Sequence, residues 1–225
     1  MAGRRRGRPE VRTGAGAAPN QKYRPASSDG RLARSVHTKS QLLGAAIELI
    51  GDASTELTPE RVASRAGKSV STFYNHFANL DQLLLEVLRV QAAQHQSSIT
   101  PVPAKGPIGP RIKATSHQRR EYFELVGPVL RLAYARIQGS SDFAALLLQH
   151  QRLSRRLLTL TFGPELTAAG RDSRTLLDVM EANMGWQNWN TLRFDHGLTA
   201  SHAERLVVLA VTSILTHSWP APVPP

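Results

Sequence analysis

The sequence contains no cysteine among its 225 residues. Disulfide bonds, thiolate nucleophiles and cysteine-ligated zinc sites are therefore excluded. Long hydrophobic runs are also missing, because the longest, residues 206–215, is about half of what a helix needs to span a bilayer. The nucleophile elbow, the zinc-protease motif, the phosphate-binding loop and the dinucleotide fingerprint are all absent. We expect a cytoplasmic protein without a membrane segment, catalytic residues, a metal or a cofactor.

Acidic residues are scarce as well, and their scarcity is uneven. The chain carries 28 Lys or Arg against 17 Asp or Glu, for a net charge of +11. Residues 1–40 hold ten of those cations and only two acids, Glu10 and Asp29. Residues 1–36 are rich in Gly, Ala, Pro, Ser and Arg without periodic apolar positions, which predicts a disordered basic arm. The remainder has enough apolar residues to form a globular core.

The stretch from residue 58 to residue 79 predicts two short helices joined by a tight turn. Thr58 is a suitable N-cap, and Pro59 suits the first position of a helix. Gly67 permits the left-handed conformation that ends this helix, and Ser69 can cap the next one. The spacing is that of a helix-turn-helix, although an ordinary helical hairpin has the same local signals.

The second of these helices has two distinct faces. Phe73 and Phe77 are four positions apart and are expected to point inward together. The outer face carries hydroxyl, amide and imidazole groups, on Ser71, Thr72, Tyr74, Asn75 and His76. Such groups suit phosphates and base edges better than they suit a core.

The run AGKSVSTFYNHFANLDQLL, with the helical AAIELI segment before it and a long amphipathic helix after it, resembles the DNA-binding domain of TetR-type repressors. The resemblance covers residues 38–98, and Thr-Phe-Tyr-x-His-Phe is its most specific part. Two positions depart from the family pattern. Lys68 stands where a buried aliphatic residue is usual, and Leu80 stands where a lysine is usual.

The resemblance implies a palindromic double-stranded DNA operator as partner. It implies that Val70, Ser71 and Tyr74 read bases and that Thr72 and His76 hold phosphates. An isopropyl group at position 70 can recognise only the thymine methyl in the major groove. The full expected DNA-binding set on the folded domain is Thr58, Lys68, Ser69, Val70, Ser71, Thr72, Tyr74, Asn75 and His76.

The basic arm contains Arg5-Arg6-Gly7-Arg8-Pro9, which resembles the core of an AT-hook. In that reading Arg6 and Arg8 lie in a narrow minor groove. The alternative is a solubilising basic tail that DNA attracts without sequence preference.

The whole chain is expected to be all-α. Helices are predicted at residues 38–51, in the two helices of the turn, and from 81 to about 98. Beyond a Pro/Gly linker at 100–110, helices are predicted near 111–126, 128–138, 141–162, 172–194 and 199–217. The expected domains are the arm, 1–36; a three-helix helix-turn-helix domain, 37–99; the linker, 100–110; a C-terminal helical bundle, 111–218; and a Pro-rich tail, 219–225.

The last two predicted helices are apolar around much of their circumference. TetR-type proteins pack their last two helices against those of a second subunit, and an operator with two-fold symmetry fits a two-fold protein. A homodimer through these helices is therefore expected, with Val208 and Val211 in the interface. A buried position inside a monomer is the alternative.

The resemblance also implies a pocket for a small-molecule effector inside the C-terminal bundle. Aromatic and polar residues at predicted helix interiors suit an amphipathic ligand with a few polar anchors. The expected ligand-binding set is Tyr122, Phe123, Tyr134, His150, Asn183, Trp186 and Gln187. A plain core role is the alternative for each of these residues.

The sequence thus predicts a sequence-specific DNA-binding transcriptional regulator, a repressor released by a small-molecule effector. Two alternatives belong to other classes. One is a non-specific or architectural DNA-binding protein that uses the basic arm, and the other is a helical protein-interaction module.

Overall fold

The computed structural model describes residues 28–52, 56–95 and 98–216, and within these ranges the fold is helical without any β-strand. The all-α prediction is confirmed. The helices are α1 (Ser28–Gly51), α2 (Pro59–Arg65), α3 (Val70–His76), α4 (Leu80–His95), α5 (Ile108–Tyr134), α6 (Ser141–Thr161), α7 (Gly163–Ala168), α8 (Ser173–Met184), α9 (Trp186–Asn190) and α10 (Ala200–Thr216). None of the described helices is long and apolar enough to cross a bilayer.

Helix α1 begins at Ser28, well before the predicted start at residue 38. The expectation of disorder up to residue 36 is therefore wrong for residues 28–36, while residues 1–27 lie outside the described ranges. Residues 30–37 of α1 are all exposed and contribute no buried apolar stripe, so periodicity gives no signal there. Leu32, Ala33 and Arg34 are nevertheless good helix formers. Residues from Lys39 onward form one compact unit, and residues 28–38 belong to another.

The turn between α2 and α3 has the predicted construction. Thr58 Oγ1 accepts a hydrogen bond from the Arg61 backbone N–H at 3.3 Å, which caps α2. Gly67 has φ 64°, in the left-handed region that a side chain would disfavour. Ser69 Oγ accepts from the Thr72 backbone N–H at 3.2 Å and caps α3.

The inner face of α3 packs into a core shared with α1, α2 and α4. Phe73 and Phe77 are both buried, with their ring centroids 5.6 Å apart, as predicted. The same hydrophobic cluster contains the fully or nearly fully buried Leu42, Ala46, Val62, Ala63, Leu83, Leu84 and Val87. This core fixes which face of α3 is left for solvent.

Helix α5 corrects two predictions. It starts at Ile108, inside the stretch expected to be a linker, because Pro107 precedes the helix and Pro110 lies in its first turn, where no backbone N–H is needed. It then continues through Gly127 and Pro128, where a break was expected. Gly127 serves a packing contact instead, since a Cβ there would meet Trp186 Cη2 at 2.9 Å.

The predicted helix at 172–194 is interrupted. Helix α8 ends at Met184, Gly185 is extended with ψ 167°, and α9 follows. Two hydrogen bonds support the break: the buried Arg119 Nη1 donates to Met184 O at 2.6 Å, and the partly buried Asn188 Nδ2 donates to Asn183 O at 2.8 Å. The predictions for α6 and α10 agree with the structure to within one residue at each end.

Helix α7 is missing from the sequence prediction, because Gly163 and Pro164 indicate only a break between helices. Pro164 instead occupies the first turn of α7. Glu165 in that turn pairs with the buried Arg111, which also donates to Thr161 O at 2.9 Å. Arg111 thereby joins the start of α5 both to the end of α6 and to the first turn of α7.

Helix α10 packs along α5 and α8 within the same chain. Val207 and Val211 are buried there, so the expectation that Val211 belongs to a dimer interface is wrong. Val208 is half-buried, and Leu209 is 63% exposed on the outer face of the helix. Much of the apolar excess of this helix is therefore explained by packing within one subunit.

Candidate DNA-binding surface and ligand cavity

The outer face of α3 presents the predicted polar side chains to solvent. Ser71 and Asn75 are exposed, and Tyr74 is 53% exposed although its ring edge packs on Phe73. Thr72 and His76 are half-buried at the flanks of this face. The surface is thus accessible along one side of a helix whose other side is anchored in the core.

The start of α3 carries a cluster of hydroxyl groups. Ser69 Oγ lies 2.9 Å from Ser71 Oγ and 2.8 Å from Thr72 Oγ1. A hydroxyl both donates and accepts, so the cluster can turn donors toward a phosphate oxygen without breaking the cap. These contacts hold the three side chains in a defined arrangement before any partner binds.

The remaining members of the predicted DNA-binding set are less exposed. Val70 is half-buried and packs against the core, and Lys68 is half-buried in the turn. Thr58 is engaged in capping α2. Leu80, at the first position of α4, also packs against the core, which gives this residue a structural role where a phosphate-binding lysine was expected. Arg6 and Arg8 lie outside the described residues.

Helix α4 connects the DNA-binding surface to the rest of the chain. Asn79 Oδ1 accepts from the Gln82 backbone N–H at 2.9 Å, and Gln82 Oε1 accepts from the Ala78 backbone N–H at 2.6 Å. Asp81 in the first turn pairs with Arg136 Nε at 2.7 Å, just beyond the end of α5. The end of α4 nearest to α3 is thereby tied to the C-terminal bundle.

A cavity of about 370 Å³ lies between α4, α5 and α6. Its volume is at the lower end of the range of small-molecule sites. Most of its lining is apolar: Leu88, Ala92 and Ala93 on α4, Tyr122, Phe123 and Leu130 on α5, Leu146, Leu147, Leu153 and Leu157 on α6, and Ile99. Arg89, Arg119, Gln149, His150 and Ser154 add polar groups. Tyr122, Phe123 and His150 are thus three predicted ligand-binding residues that the fold brings to one cavity.

His150 and Tyr122 form a pair at the wall of this cavity. His150 Nε2 lies 3.0 Å from Tyr122 Oη, and the two rings stack with centroids 5.6 Å apart. Burial, and to a lesser degree the charge of Arg119, lower the pKa of His150 to about 4. Burial raises the pKa of Tyr122 to about 12. Both groups are therefore neutral at physiological pH and can offer hydrogen bonds without charge.

The buried His150 predicts an acid-sensitive fold. In the unfolded chain a histidine takes up a proton near pH 6.5, whereas folded His150 resists protonation until about pH 4. Between these values the unfolded state binds more protons, so stability falls as the pH is lowered from 6.5 toward 4, by roughly 3 kcal/mol in all. His150→Gln should flatten this decline when chemical unfolding is followed across that range. Exposed His202→Gln is the control, and an unchanged pH profile in His150→Gln would contradict the prediction.

A second cavity of about 350 Å³ shares Phe123, His150 and Ser154 with the first. Tyr134, Trp186 and Gln187 line it, so these three predicted residues lie beside the first cavity and not in its wall. Asn183 lines neither cavity, because its side chain donates to Val179 O in its own helix at 2.8 Å.

Arg119 is a cavity residue that the sequence reasoning missed. It is only 6% exposed and lines the first cavity from α5. A signal was present, because Arg119 falls in phase with the buried positions Ile112, Ser116, Tyr122 and Val126. A charged residue in an apolar helical stripe marks a buried charge with a specific partner or role.

No group of three or more His, Asp or Glu side chains among the described residues is arranged to hold a metal ion.

Comparison with known proteins identifies the N-terminal part of the chain. Residues 42–87 match the family model of bacterial regulatory proteins of the TetR family. That segment contains α2, α3, the last ten residues of α1 and the first half of α4, which together build the DNA-binding surface. No curated protein matches the chain significantly in sequence.

The fold beyond this segment is also shared with solved structures. A transcriptional regulator from Rhodococcus sp. Rha1 superposes with a TM-score of 0.61 at 16% identity, over 79% of this chain and 95% of that one. A TetR-family transcriptional regulator from Streptomyces coelicolor superposes with a TM-score of 0.60 at 16% identity, over 80% of each chain. At this identity the likeness concerns the fold.

Proposed function

Because the chain is a TetR-family transcriptional regulator, we propose that it is a homodimeric repressor that binds a palindromic operator and is released by a small-molecule effector. Its membership in the family implies regulation through DNA binding. The repressor role, the effector and the dimer are the proposed parts.

The single observation that supports effector release is the composition of the first cavity's wall. Leu88, Ala92 and Ala93 of α4 form one side of it, and α5 and α6 form the other. Helix α4 follows directly after α3, and its first turn is tied to Arg136. A molecule that fills this cavity contacts the helix that carries the DNA-binding surface, so occupancy and the position of α3 are coupled mechanically.

Two copies of α3 would read two half-sites of one operator. Helix-turn-helix dimers bind half-sites separated by about one turn of DNA, roughly 34 Å, or a multiple of it. A ligand that changes the angle of α4 in each subunit alters that separation. Packed elements have a few discrete arrangements, so a small shift at the cavity can switch α4 from one to another. The two α3 helices then no longer match the spacing of the two half-sites.

Selection of binding sites from random DNA, followed by footprinting, tests the proposal. We expect a short protected palindrome, with Val70→Ala weakening the selected site by about 1 kcal/mol through loss of an apolar contact to a thymine methyl. Preference at one base pair of each half-site should relax. Val90→Ala is the matched control, because Val90 is also a half-buried valine but lies on α4.

Two results would count against these assignments. Uniform binding to any duplex would favour the architectural DNA-binding protein. A Val70→Ala protein that selects an unchanged motif would show that Val70 only packs against the core.

A further inference from the structure

The first cavity has an uneven distribution of charge. Its body is apolar, and the charged residues of its lining, as far as the described part of the chain shows, are both arginines, Arg89 and Arg119. Arg89 is about half exposed and pairs with Glu86 at 3.1 Å, outside the lining. Arg119 is buried. The cavity therefore places one desolvated positive charge beside a largely hydrocarbon surface.

The guanidinium of Arg119 is only partly engaged by the protein. Nη1 donates to Met184 O at 2.6 Å and Nη2 donates to Ser154 O at 3.3 Å. A guanidinium has five N–H donors, so these two bonds leave donors without a protein acceptor among the described residues. Both acceptors are neutral carbonyls, and neither balances the charge.

The carboxylate that acts on Arg119 is already bonded to another arginine. Glu181 on α8 is the carboxylate whose charge acts on Arg119, yet its oxygen accepts from Arg155 Nη1 at 2.5 Å. Arg155 also pairs with Asp178 at 2.6 Å. Glu181 and Asp178 line the second cavity, not the first. No carboxylate of the described residues forms an ion pair with Arg119.

Burial raises the free energy of the charged Arg119 side chain when no anion is bound in the cavity. It lowers the pKa of Arg119 to about 10, so the side chain is still protonated at neutral pH but its charge is poorly solvated. An anion in the cavity would restore the lost solvation through charge-assisted hydrogen bonds. The planar guanidinium matches the two oxygens of a carboxylate.

Two neutral groups complete the polar end of the cavity. His150 and Tyr122 line the same cavity and bond to each other, and His150 is close enough to Arg119 for the arginine charge to act on it. Because His150 is neutral above about pH 4, it adds a hydrogen-bonding group but no second positive charge. The polar end thus offers a single cation with neutral neighbours, which fits a singly charged anion.

We propose that the first cavity binds an organic carboxylate with an unbranched apolar chain, and that Arg119 binds its carboxylate group. The leucines of α4 and α6 would then enclose the hydrocarbon part. This inference rests on the proposed function, because it names the chemical class of the effector for the same cavity.

Calorimetric titration of the full chain with straight-chain carboxylates and the alcohols of equal length tests the ligand class. Hexanoate, octanoate and decanoate are the probes, with hexanol, octanol and decanol as the uncharged partners. We expect at least one acid to bind at least tenfold more tightly than its alcohol. Equal affinity within every pair, or no binding by any acid, would overturn the proposal.

Arginine variants test the assignment of the charge. Arg119→Met should weaken the acid tenfold to a hundredfold and leave the alcohol nearly unaffected, because only the charge-assisted bonds are lost. Arg89→Met is the matched control and should keep the preference for the acid. Arg119→Lys keeps the charge and covers the case in which Arg119→Met does not fold. A purely structural role of Arg119 would weaken acid and alcohol equally, and loss of selectivity in Arg89→Met would assign the anion to Arg89.

Operator binding separates this inference from the proposed function. Failure of every carboxylate to bind, in a protein that still protects a palindrome, would overturn the ligand class and leave the regulator standing. Selective binding of the acid through Arg119 without any change in operator affinity would support the ligand class and contradict effector release.

Discussion

Replacing Leu209 by glutamate is expected to give a folded monomer that has lost tight binding to a palindromic operator. Leu209 is the most exposed large apolar residue of α10, at 63%, and helical spacing places it opposite the buried Val207 and Val211. We propose that the two-fold interface includes the outer face of α10, so the change occurs in both subunits at once. Loss of two buried leucines amounts to about 3 kcal/mol or more, which is at least a hundredfold in the dimer dissociation constant.

The measurement is the oligomeric state by analytical ultracentrifugation, together with helix content by circular dichroism. Leu160→Glu is the matched control, since Leu160 is 51% exposed on α6, outside the proposed interface. It should leave both the dimer and the fold intact. A dimeric Leu209→Glu protein would show that the outer face of α10 is not the interface.

The Val211→Glu variant, two positions along the same helix, is expected to behave differently from Leu209→Glu. Val211 is fully buried inside one subunit. A glutamate there leaves a carboxylate without water or a partner, at a cost of several kcal/mol. We therefore expect loss of folding and not merely loss of the dimer. The two variants together distinguish an outer face that binds a second subunit from an inner face that belongs to the core.

The helix-turn-helix could be predicted from the sequence because its signals are local. Thr58, Gly67 and Ser69 determine the ends of α2 and α3 through hydrogen bonds to residues two to four positions away. The inward direction of Phe73 and Phe77 follows from helical spacing alone. Each of these features is decided within a few residues, so the structure agrees with them.

The errors in the C-terminal bundle arise where distant residues decide the local structure. Gly127 and Pro128 look like a break until Trp186 is known to need the space beside Gly127. The break at Gly185 is supported by Arg119, which is far away in the sequence. Asn183 was expected in the ligand site but bonds to its own helix. Periodicity cannot reveal such contacts, because it describes one helix at a time.

The same reasoning explains why the cavity was predicted only in part. Tyr122, Phe123 and His150 are typical of a pocket wall, and their residue types were enough to predict them as ligand-binding residues. The contribution of α4, through Leu88 and Ala92, was not foreseen, because both residues read as ordinary core positions of an amphipathic helix. Only the packing of α4 against α5 turns that face into a wall of the cavity.

Deleting residues 1–27 is expected to weaken operator binding strongly and to reduce its dependence on salt. Residues 41–100 carry only four Lys or Arg against six acids, and Leu80 takes the place of an expected lysine. The folded DNA-binding domain is therefore poor in cations. The deleted segment lies wholly before α1 in the sequence. It has one acid, Glu10, and seven cations: Arg4, Arg5, Arg6, Arg8, Arg12, Lys22 and Arg24.

Counterion release gives the size of the effect. Each phosphate that a cation neutralises adds roughly 0.9 to the slope of log affinity against log salt. Three arm contacts in each subunit would contribute about 5 units per dimer, which is about a thousandfold in affinity between 50 mM and 200 mM salt. Fluorescence anisotropy with a labelled operator at several salt concentrations measures this slope directly.

Two comparisons make the result of the deletion specific. Deleting residues 217–225 is the control, because that segment contains no Lys, Arg, Asp or Glu and should leave the salt slope unchanged. Replacing only Arg6 and Arg8 by alanine distinguishes the two interpretations of the arm. Insertion into the minor groove predicts a selective loss on operators with A·T-rich flanks, whereas non-specific attraction predicts a small loss on all operators. An unchanged slope after removal of residues 1–27 would contradict both and would assign all phosphate contacts to the folded domain.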